Sequence, residues 1–283
     1  MRSGQERARA TKLHRRAVPR VLVAMACVAA VSAAGCTEPT EAAREDRLVV
    51  FAAASLRDGF ATLGEEFERS HPGVAITFNF AGSQELRTQL EHGAAADVFA
   101  SADQRHMDAL VRAARVTSPT VFARNEPVVV VSSEGARMVR SLAELPEATR
   151  IVIGTPEVPI GRYTLEILDR AEAALGPDFR ARVESKVASR ELNVRQVLTK
   201  VSLGEAEAGV VYRTDALSAQ GSITVVAIPP ESNAIADYPI AVVTGAPHPE
   251  LARAWVDFVL SPAGQRALAS AGFAPPPASS ASR

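Results

Sequence analysis

Four places in the chain put a hydrogen-bond donor where a short apolar segment meets a segment with helical spacing. Two of them carry a serine, Ser55 and Ser83. The third is the loop 154–163, which leads into a helix and leaves the N–H of Ile160 as a donor, and the fourth is Val194. The first N–H groups of a helix have no intrahelical acceptor, and the helix dipole places about half a positive charge there. These positions therefore favour the binding of an anion by neutral donors.

Each position alone is also explained by helix capping, because serine and asparagine side chains accept hydrogen bonds from first-turn N–H groups. What favours a binding site is that such donors recur at the ends of strands in an α/β sheet, the edge at which ligands bind in these folds. Gly82, just before Ser83, would also let the backbone come close to a ligand. The pattern predicts one shared anion site.

Short apolar runs alternate with helical segments from Leu48 onward, which is typical of an α/β protein. The predicted strands are 48–52, 74–80, 97–100, 127–131, 151–154, 208–212, 223–228 and 238–244, and the predicted helices are 56–70, 84–92, 102–114, 162–175, 194–203, 249–260 and 262–271. Two such series predict two lobes, with residues 47–125 and 238–273 in lobe 1, residues 126–237 in lobe 2, and 274–283 as a disordered tail. A cleft between lobes is a common ligand site.

The first residues have the pattern of an export signal. Basic residues precede the apolar run 21–34, which is short for a membrane span. Small residues followed by Cys36 resemble a bacterial lipobox, so residues 1–35 are predicted to be a lipoprotein signal peptide and 36–46 a flexible tether. Lipidation of Cys36 would hold the exported protein at the cell envelope, in the periplasm or on the outer face of the cytoplasmic membrane. The alternative is an ordinary secretory signal with a chance cysteine.

Charge and cysteine usage exclude several classes of function. The net charge is −1, but basic residues are concentrated in the leader, so the rest of the chain is acidic and has lysine only at Lys186 and Lys200. No basic stripe remains that would favour a nucleic acid partner. The only cysteine besides Cys36 is Cys27, inside the leader, so no disulfide and no cysteine-based zinc or redox site is expected.

One family resembles the chain from about Leu48 to Phe273. The segment 50–56 (VFAAASL) resembles the opening motif of the periplasmic molybdate-binding proteins of ABC importers. Further segments are similar to that family in the same order: 94–103 (AAADVFASAD), 154–163 (GTPEVPIGRY), 193–195 (NVR), 209–216 (GVVYRTDA) and 238–243 (YPIAVV). The resemblance implies a type II periplasmic-binding-protein fold, α/β and two-lobed. Each lobe would be a mostly parallel sheet flanked by helices, with the ligand cleft between the lobes.

The resemblance also implies which residues bind the oxyanion. Ser55 and Ser83 would donate hydroxyls and backbone N–H groups from lobe 1, Ile160 and Val194 would donate backbone N–H groups from lobe 2, and Tyr212 would donate its phenol. Without the resemblance, Tyr212 is as well explained as a half-buried tyrosine. Ile160 stands where the family commonly has alanine, and a bulkier side chain there could reshape the pocket.

A cage of neutral donors suits a tetrahedral dianion, because all four of its oxygens accept hydrogen bonds. Hydrogen phosphate carries a P–OH group that needs an acceptor, so a donor-only site rejects it. Sulfate has the charge and shape of molybdate, and only the size of the pocket separates the two. Arg162 and Arg195 lie near the predicted site, and we expect them to form structural ion pairs.

The resemblance, together with the export signal, implies a monomeric, lipid-anchored receptor that captures molybdate, and tungstate with it, for an ABC permease and its ATPase by hinge closure. No catalytic residue, no cofactor, no bare metal cation and no nucleic acid are expected. The alternatives are a receptor for another oxyanion such as sulfate and, less favoured, a secreted serine hydrolase. Neither Ser55 nor Ser83 lies in a G-x-S-x-G nucleophile elbow. An effector domain of a regulator is disfavoured by the export signal and by the lack of a helix-turn-helix.

Overall fold

The computed structural model describes residues 46–277. The predicted signal peptide, Cys36 and residues 278–283 lie outside this range. Within it, the strands are β1 (Asp46–Ala53), β2 (Val74–Ala81), β3 (Val98–Ala100), β4 (Val116–Asn125), β5 (Pro127–Val131), β6 (Ile151–Gly154), β7 (Val187–Glu191), β8 (Ala208–Tyr212), β9 (Thr224–Val226) and β10 (Ala236–Val243). The helices are α1 (Arg57–Ser70), α2 (Ser83–Glu91), α3 (Gln104–Arg112), α4 (Pro159–Leu175), α5 (Phe179–Glu184), α6 (Val194–Ser202), α7 (Arg213–Ser218), α8 (Pro249–Leu260) and α9 (Pro262–Ser270). Short 3-10 turns lie at Ala54–Leu56, Gly135–Arg137 and Leu142–Glu147.

The strands form two five-stranded sheets flanked by helices, in the orders β2-β1-β3-β10-β4 and β7-β6-β8-β5-β9. We call the first sheet with its helices lobe 1 and the second sheet with its helices lobe 2. The two-lobed α/β architecture predicted from the sequence is confirmed. The strands of lobe 1 come from both sides of lobe 2 in the chain, and β10 begins at Ala236, two residues before the predicted return at residue 238.

Each sheet is mixed, with four of its five strands running in one direction and a single strand running against them, which agrees with the prediction of mostly parallel sheets. In lobe 1, β1 is parallel to β2 and β3, whereas β10 is antiparallel to β3 and β4. In lobe 2, β6 is parallel to β7 and β8, whereas β5 is antiparallel to β8 and β9. Parallel neighbours need a crossover, usually a helix, to return the chain to the same end of the sheet. No helix lies between β4 and β5 or between β9 and β10, so β5 and β10 enter their new sheets in the antiparallel sense.

The core lies between the sheets and their helices, and in lobe 1 both faces of the sheet are covered, with Val50 and Val98 in one buried cluster and Phe51 and Phe99 in the other. Strand β5 is buried along its whole length, which explains its unbroken run of valines. In lobe 1, Trp255 of α8 is fully buried and packs edge-on against Phe60 and Phe67 of α1, with ring centroids 5.6 and 5.4 Å apart. Trp255 therefore belongs to the core of lobe 1.

Several predicted boundaries shift at the ends of elements. Strand β1 starts at Asp46, inside the predicted tether, because its N–H donates to the carbonyl of Gly73 at 2.9 Å. Ala274 lies in the predicted disordered tail, yet it exchanges two backbone hydrogen bonds with Arg124, at 2.8 and 2.9 Å. Helix α4 starts at Pro159, three residues before its predicted start, because proline suits the first turn of a helix. Between residues 46 and 277, no helix is both long and apolar enough to cross a membrane.

Candidate functional site

A small cavity lies where the two lobes meet. Its walls are the segments that directly follow β1, β2 and β3 in lobe 1 and β6, β7 and β8 in lobe 2. The structure brings together all five residues that the sequence singled out, which are Ser55, Ser83, Ile160, Val194 and Tyr212. Ligands bind at this edge of the sheet in open α/β folds.

Three of these residues present backbone N–H groups from helix starts. Ser83 is the first residue of α2, Ile160 the second of α4 and Val194 the first of α6. An N–H group in the first turn has no acceptor within its own helix. The positive ends of three helix dipoles therefore face one cavity, which favours an anion there.

The two serines are not helix caps. Ser55 lies in the 3-10 turn between β1 and α1, where the cap residue of α1 is Leu56, and Ser83 follows Gly82, the cap residue of α2. Neither serine makes a capping hydrogen bond, whereas Asn193 caps α6 by accepting from the N–H of Gln196 at 3.1 Å. Capping therefore explains Asn193 but leaves the two buried serine hydroxyls to another role.

Each serine hydroxyl is contacted by another donor. Ser55 Oγ lies 2.8 Å from the hydroxyl of Tyr238, which belongs to β10. Ser83 Oγ accepts from the N–H of Ala102 at 3.0 Å. Both serines are at most 2% exposed. Ser83 therefore uses one acceptor position and can donate its proton towards the cavity, whereas in the pair of Ser55 and Tyr238 either hydroxyl can be the donor.

Tyr212 supplies a hydroxyl that is buried without a hydrogen-bond partner. Its side chain is 1% exposed, and its Oη makes no hydrogen bond within residues 46–277. Burial raises the pKa of Tyr212 well above its usual value, and the nearby phenols of Tyr238 and Tyr163 raise the pKa further. The phenol therefore stays protonated and can donate. Because buried polar groups are nearly always paired, an orphaned hydroxyl on the wall of a cavity indicates a ligand that accepts.

The loop from Gly154 to Gly161 holds the N–H of Ile160 against the cavity by tight backbone packing. A Cβ on Gly161 would lie 2.0 Å from the carbonyl oxygen of Thr155, so only glycine fits. The hydroxyl of Thr164 donates to the carbonyl of Ile160 at 2.7 Å. The Ile160 side chain is fully buried and forms part of the cavity wall, so this residue contributes both a backbone donor and bulk to the site.

The arginines near the site are paired with carboxylates, as predicted. Arg195 Nε lies 2.7 Å from Asp215 Oδ1, and its terminal nitrogen lies 2.5 Å from Asp58 Oδ2 of α1. Arg162 Nε lies 3.5 Å from Asp103 Oδ2. Burial raises the pKa of Asp215 to about 7, although Arg195 acts in the opposite direction. The cations are thus engaged outside the cavity, and its walls present neutral donors.

Polar contacts join the two lobes around the cavity. The side-chain amide of Gln84 donates to the carbonyl of Leu192 at 2.7 Å. On another side, Arg105 and His106 of α3 donate to the carbonyl of Glu157 at 3.0 and 2.9 Å. Burial lowers the pKa of His106, although Asp103 opposes the shift. These contacts hold the two lobes together on two sides of the cavity.

The site contains no sign of nucleophile activation or of a metal centre. The serine hydroxyls contact a phenol and a backbone N–H, neither of which is a general base. In the described part of the chain, no three His, Cys, Asp or Glu residues are grouped so that they could hold a metal ion.

Sequence reasoning missed Asn125 and Tyr238 as parts of the site. The sequence places Tyr238 in a predicted strand and in the segment YPIAVV, and Asn125 at the end of the first part of lobe 1. Tyr238 packs edge-on against Tyr212 with ring centroids 5.7 Å apart, and Asn125 Nδ2 lies 3.4 Å from its hydroxyl. No local pattern could reveal this, because Ser55 and Tyr238 are 183 residues apart in sequence.

Comparison with known proteins agrees with this architecture. The family model for bacterial extracellular solute-binding proteins matches residues 48–274. The molybdate-binding protein ModA of Mycobacterium tuberculosis is 41% identical over 254 residues, which cover 89% of this chain and 93% of that protein.

Two solved structures share the fold. The sulfate-binding protein SubI of Mycobacterium tuberculosis has a TM-score of 0.73 at 19% identity, covering 81% of this chain and 87% of that one. The periplasmic molybdate-binding protein of Azotobacter vinelandii has a TM-score of 0.70 at 18% identity, covering 81% of this chain and 99% of that one. The chain belongs to the bacterial extracellular solute-binding protein family and is similar, over nearly all of its described length, to molybdate-binding members.

Proposed function

We propose that this protein captures molybdate, and tungstate with it, outside the cytoplasmic membrane and delivers it to an ABC importer. The observation that carries the proposal is the unpartnered hydroxyl of Tyr212 on the wall of a cavity whose other polar groups are also donors. A ligand that only accepts hydrogen bonds matches that wall. The 41% identity to a protein named for molybdate binding supports molybdate among such ligands.

The strength of binding follows from the number of donors. The hydroxyls and N–H groups of Ser55 and Ser83, the N–H groups of Ile160 and Val194, and the phenol of Tyr212 make about seven donors. Each hydrogen bond to a charged partner contributes about 1.5–3 kcal/mol. That is enough to offset the desolvation of a dianion without a lysine or arginine in the cavity. A neutral site also avoids a preference for more highly charged anions.

Capture would proceed by closure of the two lobes about the anion. Ser55 and Ser83 lie on lobe 1, whereas Ile160, Val194 and Tyr212 lie on lobe 2. An anion held by one lobe gains its remaining hydrogen bonds only when the other lobe arrives, so ligand binding favours the closed state. The contact between Gln84 and Leu192 forms in the same step.

The partners in this proposal are a molybdate permease and its ATPase, which would recognise the closed form. The chain would act as a monomer without a cofactor and without catalysis, held at the membrane by lipid on Cys36. The two crossings between the lobes, one between β4 and β5 and the other just before β10, would serve as the hinge.

Calorimetry on the chain without its leader tests the ligand. We expect molybdate and tungstate to bind with similar affinity, sulfate far more weakly, and phosphate not at all. Tight sulfate binding without molybdate binding would assign the site to the alternative oxyanion. Small-angle scattering with and without saturating molybdate tests closure, and identical dimensions would contradict it.

A further inference from the structure

A chain of buried hydrogen bonds leads from the connection between the lobes to Ser55. Asn125 ends β4, just before the chain crosses into lobe 2, and its Nδ2 lies 2.8 Å from Thr214 Oγ1 and 3.4 Å from Tyr238 Oη. Tyr238 Oη in turn lies 2.8 Å from Ser55 Oγ. Asn125, Tyr238 and Ser55 are each at most 2% exposed, so water does not compete for these bonds.

The backbone N–H of Glu126 determines which group donates at each step of this series of hydrogen bonds. The N–H of Glu126 donates to Asn125 Oδ1 at 3.0 Å. The opposite orientation of the amide would set two donors against each other, so the NH₂ group of Asn125 must face Tyr238. A donor that faces the Tyr238 hydroxyl cannot accept its proton. Among the described residues, Ser55 Oγ is the remaining polar neighbour of that hydroxyl, and it therefore receives the Tyr238 proton.

Because Tyr238 donates to Ser55, the direction of the Ser55 proton is determined as well. It cannot go to Tyr238, because Tyr238 already donates to Ser55, and within residues 46–277 no other side chain or backbone acceptor bonds to Ser55 Oγ. Ser55 lines the cavity, so its proton points to the ligand. To accept from a ligand instead, Ser55 would leave either its own proton or that of Tyr238 buried without a partner, which is costly.

We propose that Asn125 and Tyr238 are specificity-determining residues that act through Ser55. They hold its hydroxyl as an obligate donor, so that the site admits fully deprotonated tetrahedral dianions and rejects those that carry a proton. This inference rests on the proposed function, since it concerns how the same site selects its anion. Neither residue contacts the ligand in this scheme, so both are positioning residues.

The variant Asn125→Asp tests the donor direction in this series of hydrogen bonds. The new carboxylate keeps the shape of the amide and is surrounded by donors from Glu126, Thr214 and Tyr238, which favour its charged form. Tyr238 would then donate to the carboxylate, Ser55 would donate to Tyr238, and a Ser55 lone pair would face the cavity. Calorimetry at about pH 8 compares molybdate with hydrogen phosphate, which are both dianions there.

The ratio of the phosphate to the molybdate dissociation constant is the decisive readout. The added negative charge weakens the binding of both dianions alike. Reversal of the Ser55 hydroxyl, in contrast, favours hydrogen phosphate, which is the dianion that carries a proton. We expect the ratio to fall about tenfold or more in Asn125→Asp. An unchanged ratio, with both affinities lowered equally, would overturn the inference.

Tyr238→Phe provides an independent test that keeps the aromatic packing. Loss of the hydroxyl should raise the molybdate dissociation constant about three- to tenfold in the otherwise native protein. In a Ser55→Ala background it should have no further effect, because Tyr238 acts through Ser55. Equal losses in both backgrounds would show a merely structural role. Tyr163→Phe is the matched control, since Tyr163 also packs against Tyr212, at 6.5 Å, and makes no hydrogen bond to Ser55.

The wild-type protein separates failure of this inference from failure of the proposed function. If it binds sulfate in place of molybdate, the proposed ligand is wrong, and the same ratios are measured against sulfate. If it binds molybdate while the variants behave additively with an unchanged ratio, the proposed function stands and the directed hydrogen-bond chain is wrong.

Discussion

Gly82 and Leu192 meet across the cleft so closely that no side chain fits between them. A Cβ on Gly82 would lie 2.4 Å from the carbonyl oxygen of Leu192. Gly82 belongs to lobe 1 and lines the cavity, whereas Leu192 lies just before α6 in lobe 2. The backbone of Gly82 has φ −63° and ψ 140°, which any residue adopts. Glycine is therefore required here for the approach of the lobes and not for its conformational freedom.

Gly82→Ala should impair closure without impairing folding. The added methyl group would hold the lobes apart, so we expect anion affinity to fall at least about tenfold while the free energy of unfolding changes by less than about 1 kcal/mol. Calorimetry and denaturant unfolding measure the two effects. Gly59→Ala is the matched control, because its Cβ would make ordinary contacts at 3.4 Å or more. Unchanged affinity in Gly82→Ala would show that closure does not bring these residues together.

Ser55→Ala should weaken anion binding about 10- to 150-fold, which corresponds to one hydrogen bond to a charged ligand. The protein should also lose about 1–3 kcal/mol of stability, because the Tyr238 proton loses its acceptor. This cost has a different origin from a lost helix cap, since Ser55 makes no capping bond. Binding titrations and urea unfolding measure both. A variant that binds molybdate like the wild type would remove Ser55 from the site.

Tyr212→Phe should affect binding and stability in opposite directions. Its hydroxyl is buried without a partner in the described structure, so its removal should leave the unliganded protein equally stable or more stable. Anion affinity should fall about tenfold or more, because the ligand loses a donor. Thermal unfolding with and without molybdate tests this, since the ligand-induced rise in melting temperature should shrink. Loss of stability without loss of affinity would contradict the assigned role.

The stability that Glu207 contributes to lobe 2 should be lost in acid. Burial raises the pKa of Glu207, but hydrogen bonds from the N–H and hydroxyl of Thr149, at 2.6 and 2.8 Å, and from the N–H of Arg150 lower it more, so the net shift is downward. A lowered pKa in the folded state adds stability above the unfolded value of 4.5, and this is lost as the pH falls through and below that value.

Comparison with Glu207→Gln isolates this effect. At neutral pH the variant should be roughly 1–2 kcal/mol less stable than the wild type, because a neutral amide accepts these hydrogen bonds less strongly. The difference in unfolding free energy between wild type and variant should narrow as the pH falls below about 4.5 and Glu207 becomes protonated in the folded protein as well. Urea unfolding at neutral and acid pH measures it. A difference that stays constant with pH would show that the hydrogen bonds do not hold the charged form.

Elements with strong local signals were predicted with the bounds that the structure shows. Strands β5 and β8 are continuous apolar runs buried along their length, and α8 has helical spacing after a proline. The predicted bounds of 127–131, 208–212 and 249–260 match them. A strand that is buried on both faces has a continuous apolar run, and such a run can be recognised in the sequence alone.

Elements whose burial depends on neighbours were missed. Strand β7 carries polar and charged residues (VASRE) and is half exposed at the edge of its sheet, and the short helix α5 was not distinguished from a loop. Strand β4 contains Pro119 and begins with polar residues, so its pairing with β10 is invisible locally. The mixed sheets follow from where the chain crosses between lobes, which no window of sequence contains.

By itself, the sequence determined the α/β architecture, its two lobes and, to within one to three residues, the helix starts near Ser83, Ile160 and Val194, because these depend on residues close together in the chain. Only the tertiary structure decided what each donor faces. It showed that Tyr212 is buried without an acceptor within residues 46–277 and that the hydroxyls of Ser55 and Tyr238, 183 residues apart in sequence, lie 2.8 Å from each other. The reason is physical: a hydroxyl both donates and accepts, and its direction is set by partners that only folding brings within reach.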